Sequence, residues 1–270
     1  MKGQLPNKFH IYFRKDNEPA QYWSDKLSAY LKTKNSGIKA DPASPEVLFI
    51  LGGDGTILEA VKKYHHKSNP LILGFNLGTV GFLASVREPR DFILALGKFL
   101  KNKFTVVERM LLSVSIERRG ENIFSSEALN EVVIQNPLGM VDLEVQANGT
   151  VIKKLRGSGI MVATATGSTA YNLSAHGPIV MPEIKCMVVT EIMTHDVPSP
   201  SIVFDQKQEI KFKIKGFRKP DILLITDGGK PAVLKEHDII TVKSSPHPVR
   251  FIEFEKNYFF KSLKEKFSIK

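Results

Sequence analysis

A lone aspartate inside a glycine loop is the first residue of the sequence whose setting suggests chemistry. The apolar stretch EVLFILG, residues 46–52, is followed by Gly53, Asp54 and Gly55, and a helical pattern begins near Thr56. Glycine lets the backbone approach a ligand closely, and the free N–H groups of a helix start favour phosphate. The spacing matches neither the GxGxxG fingerprint nor the Walker loop, which disfavours Rossmann-type hydride transfer and P-loop hydrolysis.

The charge of Asp54 indicates a role beyond phosphate binding, because like charges repel. This carboxylate would suit accepting the proton of a hydroxyl group, or helping to hold a metal beside a phosphate. The alternative is a helix cap or a turn residue, since aspartate is favoured at both.

A second glycine-rich segment, GFNLGTVGFLA, follows the next apolar strand at residues 74–84. Such a segment is either a structural turn or part of a ligand crevice. Ligands of doubly wound sheets bind outside the carboxyl ends of the strands. Two glycine loops at the ends of successive strands therefore favour one shared crevice.

The densest set of polar groups is TATGSTAYNLSAHGPIV, residues 164–180. Small hydroxyl and amide side chains around one tyrosine suit the recognition of a ribose and a base. The alternative is a helix N-terminus capped by Ser168 or Thr169, and capping is compatible with binding.

Three further polar residues lie in apolar, strand-like segments. Asn130 and Glu131 are adjacent within EALNEVVIQN and face opposite sides of a strand, so at least one of them is buried or in a cleft. Asp227 ends the apolar run DILLITD much as Asp54 ends its own. A type I′ turn is the alternative role for Asp227.

The elements that must position these residues fall into two regimes. Up to residue 104, strand-like runs alternate with amphipathic helical patterns, which predicts a doubly wound, Rossmann-like α/β domain. From residue 105 the chain is mostly extended, with a hairpin predicted at Asn148-Gly149, and a β-rich, β-sandwich-like domain is expected. The tail from about Phe251 predicts a C-terminal helix that returns to the first domain. The expected domains are therefore 1–104 plus 251–270, and 105–250.

Composition restricts the class of protein. The chain has 42% hydrophobic and 24% charged residues, a single cysteine, Cys186, and a formal charge of +10. With no signal-peptide pattern and no apolar run of membrane-spanning length, a soluble cytoplasmic protein is expected. The charge favours anionic partners, but the lysines are scattered, so neither nucleic acid nor a membrane is the expected partner.

Taken together, the motifs closely resemble the NAD kinases. GGDGT, residues 52–56, is also shared by the diacylglycerol, sphingosine and phosphofructokinase groups. The combination with GFNLGTVGFLA, Asn130-Glu131 and GSTAYNLSA is specific, and the matched motifs span residues 52–227 in the family's order.

The resemblance implies a reaction and a fold. The reaction is phosphoryl transfer from ATP, or another phosphoryl donor, to the adenosine-ribose 2′-hydroxyl of NAD, giving NADP. Mg²⁺ would bridge the donor phosphates and offset the charge of Asp54, and no metal is assigned a protein site. The fold is an α/β domain joined to a β-rich domain. Members are usually homodimers or homotetramers.

The resemblance also assigns roles to residues of this sequence. Asp54 would accept the proton of the ribose hydroxyl, between Gly53 and Gly55. The remaining substrate contacts follow: the adenosine would meet Asn130 and Glu131, and the adenine an aromatic ring, Phe82. The loop around the adenine and ribose would supply Thr169, Ala170, Tyr171 and Ser174, and the second ribose and the phosphates would lie near Arg156 and Asp227.

The sequence departs from the family pattern in three places. The family usually has an aspartate, which contacts the nicotinamide side of NAD, where this chain has Ser158; the serine keeps a hydrogen-bonding group but removes a charge. His176 replaces the first glycine of an Ala-Gly-Gly-Pro loop. Downstream, His195 is kept, while Ser199-Pro200 stands for the usual arginine-proline.

Two other functions are consistent with part of the pattern. A lipid kinase would share GGDGT, but the serine-threonine-tyrosine loop argues against it. A non-catalytic nucleotide-binding protein would keep the fold, and Ser158 is the feature that favours this alternative.

Overall fold

The structure is a computed structural model that describes residues 5–34, 36–79, 81–194, 199–217, 221–255 and 258–267. The chain forms two compact units, Met1–Glu108 with Val249–Lys270, and Arg109–Pro248. The sequence had suggested boundaries at residues 104 and 250. Among the described helices, none is long and apolar enough to cross a membrane.

The elements are numbered in chain order. The helices are α1 Glu18–Thr33, α2 Asp54–Ser68, α3 Phe92–Leu100, α4 Tyr171–Ser174 and α5 Tyr258–Lys266. The strands are β1 Lys8–Tyr12, β2 Lys39–Ala40, β3 Val47–Leu51, β4 Leu71–Phe75, β5 Thr105–Arg109, β6 Leu112–Arg118, β7 Glu121–Ala128, β8 Glu131–Gln135, β9 Val141–Ala147, β10 Thr150–Thr164, β11 Cys186–Thr194, β12 Ile202–Asp205, β13 Ile210–Phe217, β14 Ile222–Thr226, β15 Ala232–Leu234, β16 Ile239–Ser244 and β17 Val249–Glu253.

The first unit is the predicted α/β layer. Its six-stranded sheet has the order β2-β1-β3-β4-β17-β5, and β1, β3 and β4 pair in parallel. Every residue of β3 is buried, as expected for a strand covered on both faces. Phe49 of β3 packs against Phe9, Phe75 and Phe99, so the strands and α3 share one aromatic core.

The C-terminal tail belongs to this first unit, as predicted. The sequence did not reveal that the tail also supplies a strand. β17 lies parallel to β4, with Arg250 opposite Leu71 and Phe251 opposite Ile72. After β17, α5 presents Tyr258 and Phe259 as buried residues.

The second unit is the predicted β-rich domain, and its strands form a single 11-stranded sheet. Strands such as β9 and β14 alternate buried and less buried residues, so one face lies on a common apolar core. The sheet is curved. Its two ends approach each other, since the hydroxyl oxygens of Ser126 in β7 and Thr226 in β14 are 3.2 Å apart. One curved sheet therefore encloses the core that a sandwich would place between two.

The long strand β10 connects the two parts of this single sheet. Its first half pairs with β9, through the predicted two-residue turn at Asn148 and Gly149, which both have positive φ. Its second half pairs with β8 on one side and β11 on the other. Residues 159–164 of β10 are all buried. Ile160 and Val162 belong to the main apolar core, while Ala175 and Val180 pack on the other face, with Met161 and Ala163.

Candidate active site

Asp54 joins the two glycine loops of the first unit. It is the first residue of α2, and Gly53 occupies the N-cap position. The Asp54 carboxylate accepts the backbone N–H of Phe82 at 2.9 Å and that of Leu83 at 3.2 Å. The side chain therefore tethers a distant loop, and a local cap or turn does not account for it.

The approach of the two loops depends on Gly81. A Cβ atom built on this glycine would lie 2.2 Å from Oδ1 of Asp54, a distance that no side chain tolerates. The loops that follow β3 and β4 thus meet at the carboxyl ends of two neighbouring parallel strands, where ligands of such sheets bind. Gly55 is exposed and Gly53 half-buried beside Asp54.

The environment of Asp54 makes its carboxylate more basic than usual. Burial raises the pKa of Asp54, while the N–H groups of Phe82 and Leu83, and the charge of Lys266, act in the opposite direction without overcoming it. Desolvation penalises the charged form of an acid. A carboxylate with a raised pKa is a better proton acceptor.

Phe82 supplies an aromatic ring next to Asp54. Its ring centroid lies 5.9 Å from that of Phe259 in α5, and the side chain is only half-buried. One side of the ring is therefore packed while part of it stays accessible to a ligand.

In the second unit, the Asp227 carboxylate holds a stretch of backbone. It accepts the N–H groups of Leu129 at 2.7 Å, Asn130 at 2.8 Å and Glu131 at 3.1 Å. Asp227 and Gly228 both have positive φ, as in a type I′ turn. The turn considered for Asp227 is therefore real, and its side chain also fixes the Asn130-Glu131 pair.

Asn130 and Glu131 are both buried, with exposures of 8% and 7%. Oε2 of Glu131 has no hydrogen-bond partner among the described residues. Burial, and secondarily the charge of Asp227, raise the pKa of Glu131 to about 7, while the backbone N–H of Tyr171 lowers it. A buried acceptor that lacks a partner is costly, and this oxygen suits a ligand donor.

The segment 164–180 is held by buried hydroxyl and amide groups. Thr164 donates to the carbonyl of Leu129 at 2.6 Å and accepts the N–H of Gly167 at 2.9 Å. Ser168 donates to the carbonyl of Ala165 at 2.6 Å and accepts the N–H of Val180 at 3.0 Å. Neither Ser168 nor Thr169 caps a helix, because Ala170 occupies the N-cap position of α4 and no side chain caps it.

A second buried group anchors the same segment from behind. Asn172 is fully buried, donates to the carbonyls of Ser168 and Pro178, and accepts the hydroxyl of Thr190 at 2.7 Å. The expected contact residues lie on the outer side: Thr169 and Ala170 are half-buried, and Tyr171 and Ser174 are exposed. The hydrogen bonds of the buried Asn172 thus hold the segment so that the expected ligand residues are accessible to solvent.

The other predicted site residues lie along β10. Arg156 is exposed and pairs with Asp142 at 3.6 Å. Ser158 is half-buried between two glycines, and a Cβ on Gly159 would lie 2.2 Å from the carbonyl oxygen of Ile134. A Cβ on Gly157 would likewise lie 2.8 Å from Cα of Thr194. The backbone on both sides of Ser158 is therefore in close contact with the neighbouring strands.

The other two departures from the family pattern lie outside β10. His176 has a φ of 61°, so a residue with a side chain occupies a left-handed conformation that suits glycine. Ser199 and Pro200 are exposed, and Ser199 donates to Glu191 at 2.8 Å. His195 lies outside the described residues.

Sequence reasoning missed Thr164 and Thr190, which hold the polar segment in place. Thr164 is fully buried and Thr190 is 3% exposed. A polar residue inside an apolar strand was the available signal, but it does not indicate which distant group is its partner.

The residues around Asp54 and Glu131 indicate the class of protein. The α/β unit holds a basic carboxylate between two glycine loops, and the β-rich unit holds a buried acid beside a segment of small polar side chains; both features are typical of nucleotide-dependent phosphotransferases. The ATP-NAD kinase N-terminal domain family matches residues 1–104, and the ATP-NAD kinase C-terminal domain family matches residues 129–254. An NAD kinase of Geobacter sulfurreducens is 34% identical over 227 residues, 83% of this chain and 79% of that protein.

Solved structures agree in fold. The crystal structure of yeast NADH kinase complexed with NADH has a TM-score of 0.88 at 20% identity, covering 98% of this chain and 88% of that chain. An NAD kinase from Archaeoglobus fulgidus in complex with ATP has a TM-score of 0.77 at 24% identity, covering 97% and 100%. The chain belongs to the ATP-NAD kinase family, and the predicted resemblance is confirmed.

Proposed function

We propose that this NAD kinase transfers the terminal phosphoryl group of ATP to the adenosine-ribose 2′-hydroxyl of NAD, with Asp54 receiving the hydroxyl proton. The observation that carries the proposal is the setting of Asp54. Both of its oxygens are fixed by backbone N–H groups, and burial raises its pKa. A positioned and more basic carboxylate suits an attacking hydroxyl.

The proposed transfer forms one P–O bond and breaks another. The 2′-oxygen forms a bond to the γ-phosphorus, the bond from that phosphorus to the bridging oxygen breaks, and ADP leaves with the electron pair. The hydroxyl proton passes to the Asp54 carboxylate. In a loose transition state this proton leaves late, so orienting the hydroxyl matters at least as much as basicity.

The phosphates of ATP are assigned to the glycine loop beside Asp54. The first N–H groups of α2 have no intrahelical partner and carry the positive end of the helix dipole. Mg²⁺ would enter with ATP on the phosphate oxygens and reduce their repulsion with Asp54. Both Asp54 oxygens already accept N–H groups, which fits an ion held mainly by the nucleotide.

The adenosine of NAD is assigned to the β-rich unit. Glu131 would accept a ribose or base donor through Oε2, with Asn130 beside it, and Asp227 would keep this pair in place through its three N–H contacts. The residues proposed to complete the NAD contacts are Phe82, Arg156, Ser158, Thr169, Ala170, Tyr171 and Ser174.

The proposal extends to the cellular compartment and the oligomeric state. We place the activity in the cytoplasm, in a homodimer or homotetramer. The single cysteine, Cys186, is free and buried in β11, which is compatible with a reducing compartment.

The test is to incubate the protein with NAD, ATP and Mg²⁺ and to measure NADP with an NADP-specific dehydrogenase. Parallel reactions replace NAD by diacylglycerol or a sphingoid base. NADP formation in preference to lipid phosphorylation supports the proposal. Preferred lipid phosphorylation would make the protein a lipid kinase, and NAD binding without turnover would make it a nucleotide-binding protein.

A further inference from the structure

The loop that holds Asp54 has little structure of its own. The N–H groups of Phe82 and Leu83 point at the Asp54 carboxylate, yet residues 81–85 form neither helix nor strand. On the upstream side the chain contains Gly78 and Gly81, which permit many conformations. The Asn76 amide donates to the carbonyl of Gly78 at 2.8 Å, but Gly81 still separates this contact from Phe82, so contacts on the downstream side are needed to fix the two N–H groups.

On the downstream side, Val86 donates its N–H to the carbonyl of Gly74 and accepts the N–H of Asn76, and residues 84 and 85, which lie closer to the two N–H groups, are held by the C-terminal segment. The hydroxyl of Tyr258 donates to the carbonyl of Ala84, and the hydroxyl of Ser85 donates to the carbonyl of Ile252 in β17. Ala84 directly follows Leu83. The buried Tyr258 of α5 therefore holds the residue directly after Leu83, whose N–H group binds Asp54.

Arg87 fixes α5 against the same loop. Its guanidinium donates to the carbonyl of Tyr258 and to the hydroxyl of Ser262 and pairs with Glu265 at 2.6 Å. It also lies 4.6 Å from the centre of the Tyr258 ring. The aromatic contact of Phe259 with Phe82, at 5.9 Å, adds an apolar link.

We infer that Tyr258, with Arg87 and Ser262, is a positioning residue for phosphoryl transfer: the α5 clamp formed by these three residues orients the Phe82 and Leu83 N–H groups and, through them, Asp54. The inference rests on the proposed role of Asp54. It assigns a catalytic consequence to α5, whose residues act on Asp54 through the backbone of Phe82, Leu83 and Ala84.

The test is Tyr258→Phe, which keeps the ring and removes the hydroxyl. We expect kcat for NADP formation to fall about tenfold, because a small displacement of a catalytic group is costly. KM for NAD and for ATP should change less than twofold. Ser262→Ala should lower kcat in the same direction by a smaller factor. The matched control is Tyr64→Phe, a buried tyrosine ten residues beyond Asp54 in α2, which should leave kcat unchanged.

Amide hydrogen exchange provides a readout that does not need activity. In Tyr258→Phe, amide exchange within residues 81–87 should accelerate while exchange in β3 and α1 stays as in the wild type. A kcat equal to that of the wild type overturns the inference, and so does faster exchange spread over the whole first unit, since that reports general destabilisation. If the wild type makes no NADP, the proposed function fails, and local acceleration in the exchange experiment still decides whether the clamp orders the loop.

Discussion

The carboxylate of Asp54 accepts the backbone N–H of Phe82 at 2.9 Å, although the two residues are 28 positions apart. This hydrogen bond joins the loops that follow two neighbouring parallel strands. It fixes the carboxylate at the edge of the sheet where a nucleotide would bind. The geometry of the candidate active site is therefore as much a property of the second glycine loop as of the first.

Replacing Gly81 tests this relationship. In Gly81→Ala the new methyl group would collide with Asp54, whose Oδ1 would lie 2.2 Å away. We expect kcat to fall by about 10- to 100-fold, since misplacing a catalytic group by about 1 Å has effects of this size. Gly78→Ala is the matched control, because its Cβ would meet no atom within 4 Å. Equal kcat values for the two variants would contradict the close approach.

The titration of Glu131 predicts a dependence of stability on pH. Its pKa is raised to about 7 from the ordinary value of 4.5, so between these pH values the folded protein keeps a proton that the unfolded chain has lost. Stability from this group is present below about pH 4.5 and is lost as pH rises through about 7. Relative to the wild type, Glu131→Gln should therefore gain up to roughly 3 kcal/mol of unfolding free energy between pH 5 and 8.

Denaturant unfolding at the two pH values measures this difference. Glu144→Gln is the control, because pairing with Lys215 lowers the pKa of Glu144. Stability from Glu144 is present above its unfolded pKa of 4.5 and is lost only on further acidification. Between pH 5 and 8 the stability difference between this variant and the wild type should therefore stay nearly constant. A pH-independent difference for Glu131→Gln would mean that Glu131 titrates normally.

Ser158 is expected to affect the preference of the enzyme for NAD over NADH. The nicotinamide ring is positively charged in NAD and neutral in NADH, so a carboxylate nearby favours NAD. Ser158→Asp should raise the ratio of kcat/KM for NAD over NADH by about tenfold, which corresponds to ~1.4 kcal/mol and is within the range of a partly screened charge pair. The control Ser115→Asp adds the same charge at a half-buried position of β6. An unchanged ratio would place Ser158 away from the nicotinamide.

His176 predicts a stabilising substitution. The residue is exposed and has a φ of 61°, a conformation in which a side chain is strained. His176→Gly should raise the free energy of unfolding by up to about 1 kcal/mol, a shift in Tm of roughly 2–4 °C for a protein of this size. Thermal unfolding decides the point, and a lower Tm in the variant would show that the histidine side chain makes a contact that offsets its strain.

The sequence predicts those features that depend on local pattern. The buried β3 strand, the hairpin at Asn148-Gly149 and the return of the tail are all confirmed, because burial periodicity and turn residues are local signals. The strand β17 was missed, since its partner β4 lies far away in the chain and its five residues carry no distinctive pattern. Tertiary pairing of this kind cannot be read from neighbouring residues.

The candidate site shows the same division. The Asp54 loop and the Asn130-Glu131 pair were evident as polar residues in unusual settings. The N–H groups that Asp227 binds, at Leu129, Asn130 and Glu131, are close to 100 positions earlier in the chain. Sequence showed that a buried polar pair needs a partner, but only the folded chain identifies which carboxylate provides it.

The most direct test of the account is the rate of NADP formation by Asp54→Asn at saturating NAD and ATP with Mg²⁺. The amide keeps the size of the side chain but cannot take the hydroxyl proton, so kcat should fall by about 10²- to 10⁴-fold while NAD binding, followed by calorimetry, is retained. Glu59→Gln, in the same helix and paired with Arg14 at 2.9 Å, should keep wild-type kcat. An Asp54→Asn enzyme whose kcat stays within a factor of three of the wild type would contradict the role of Asp54 as the proton acceptor.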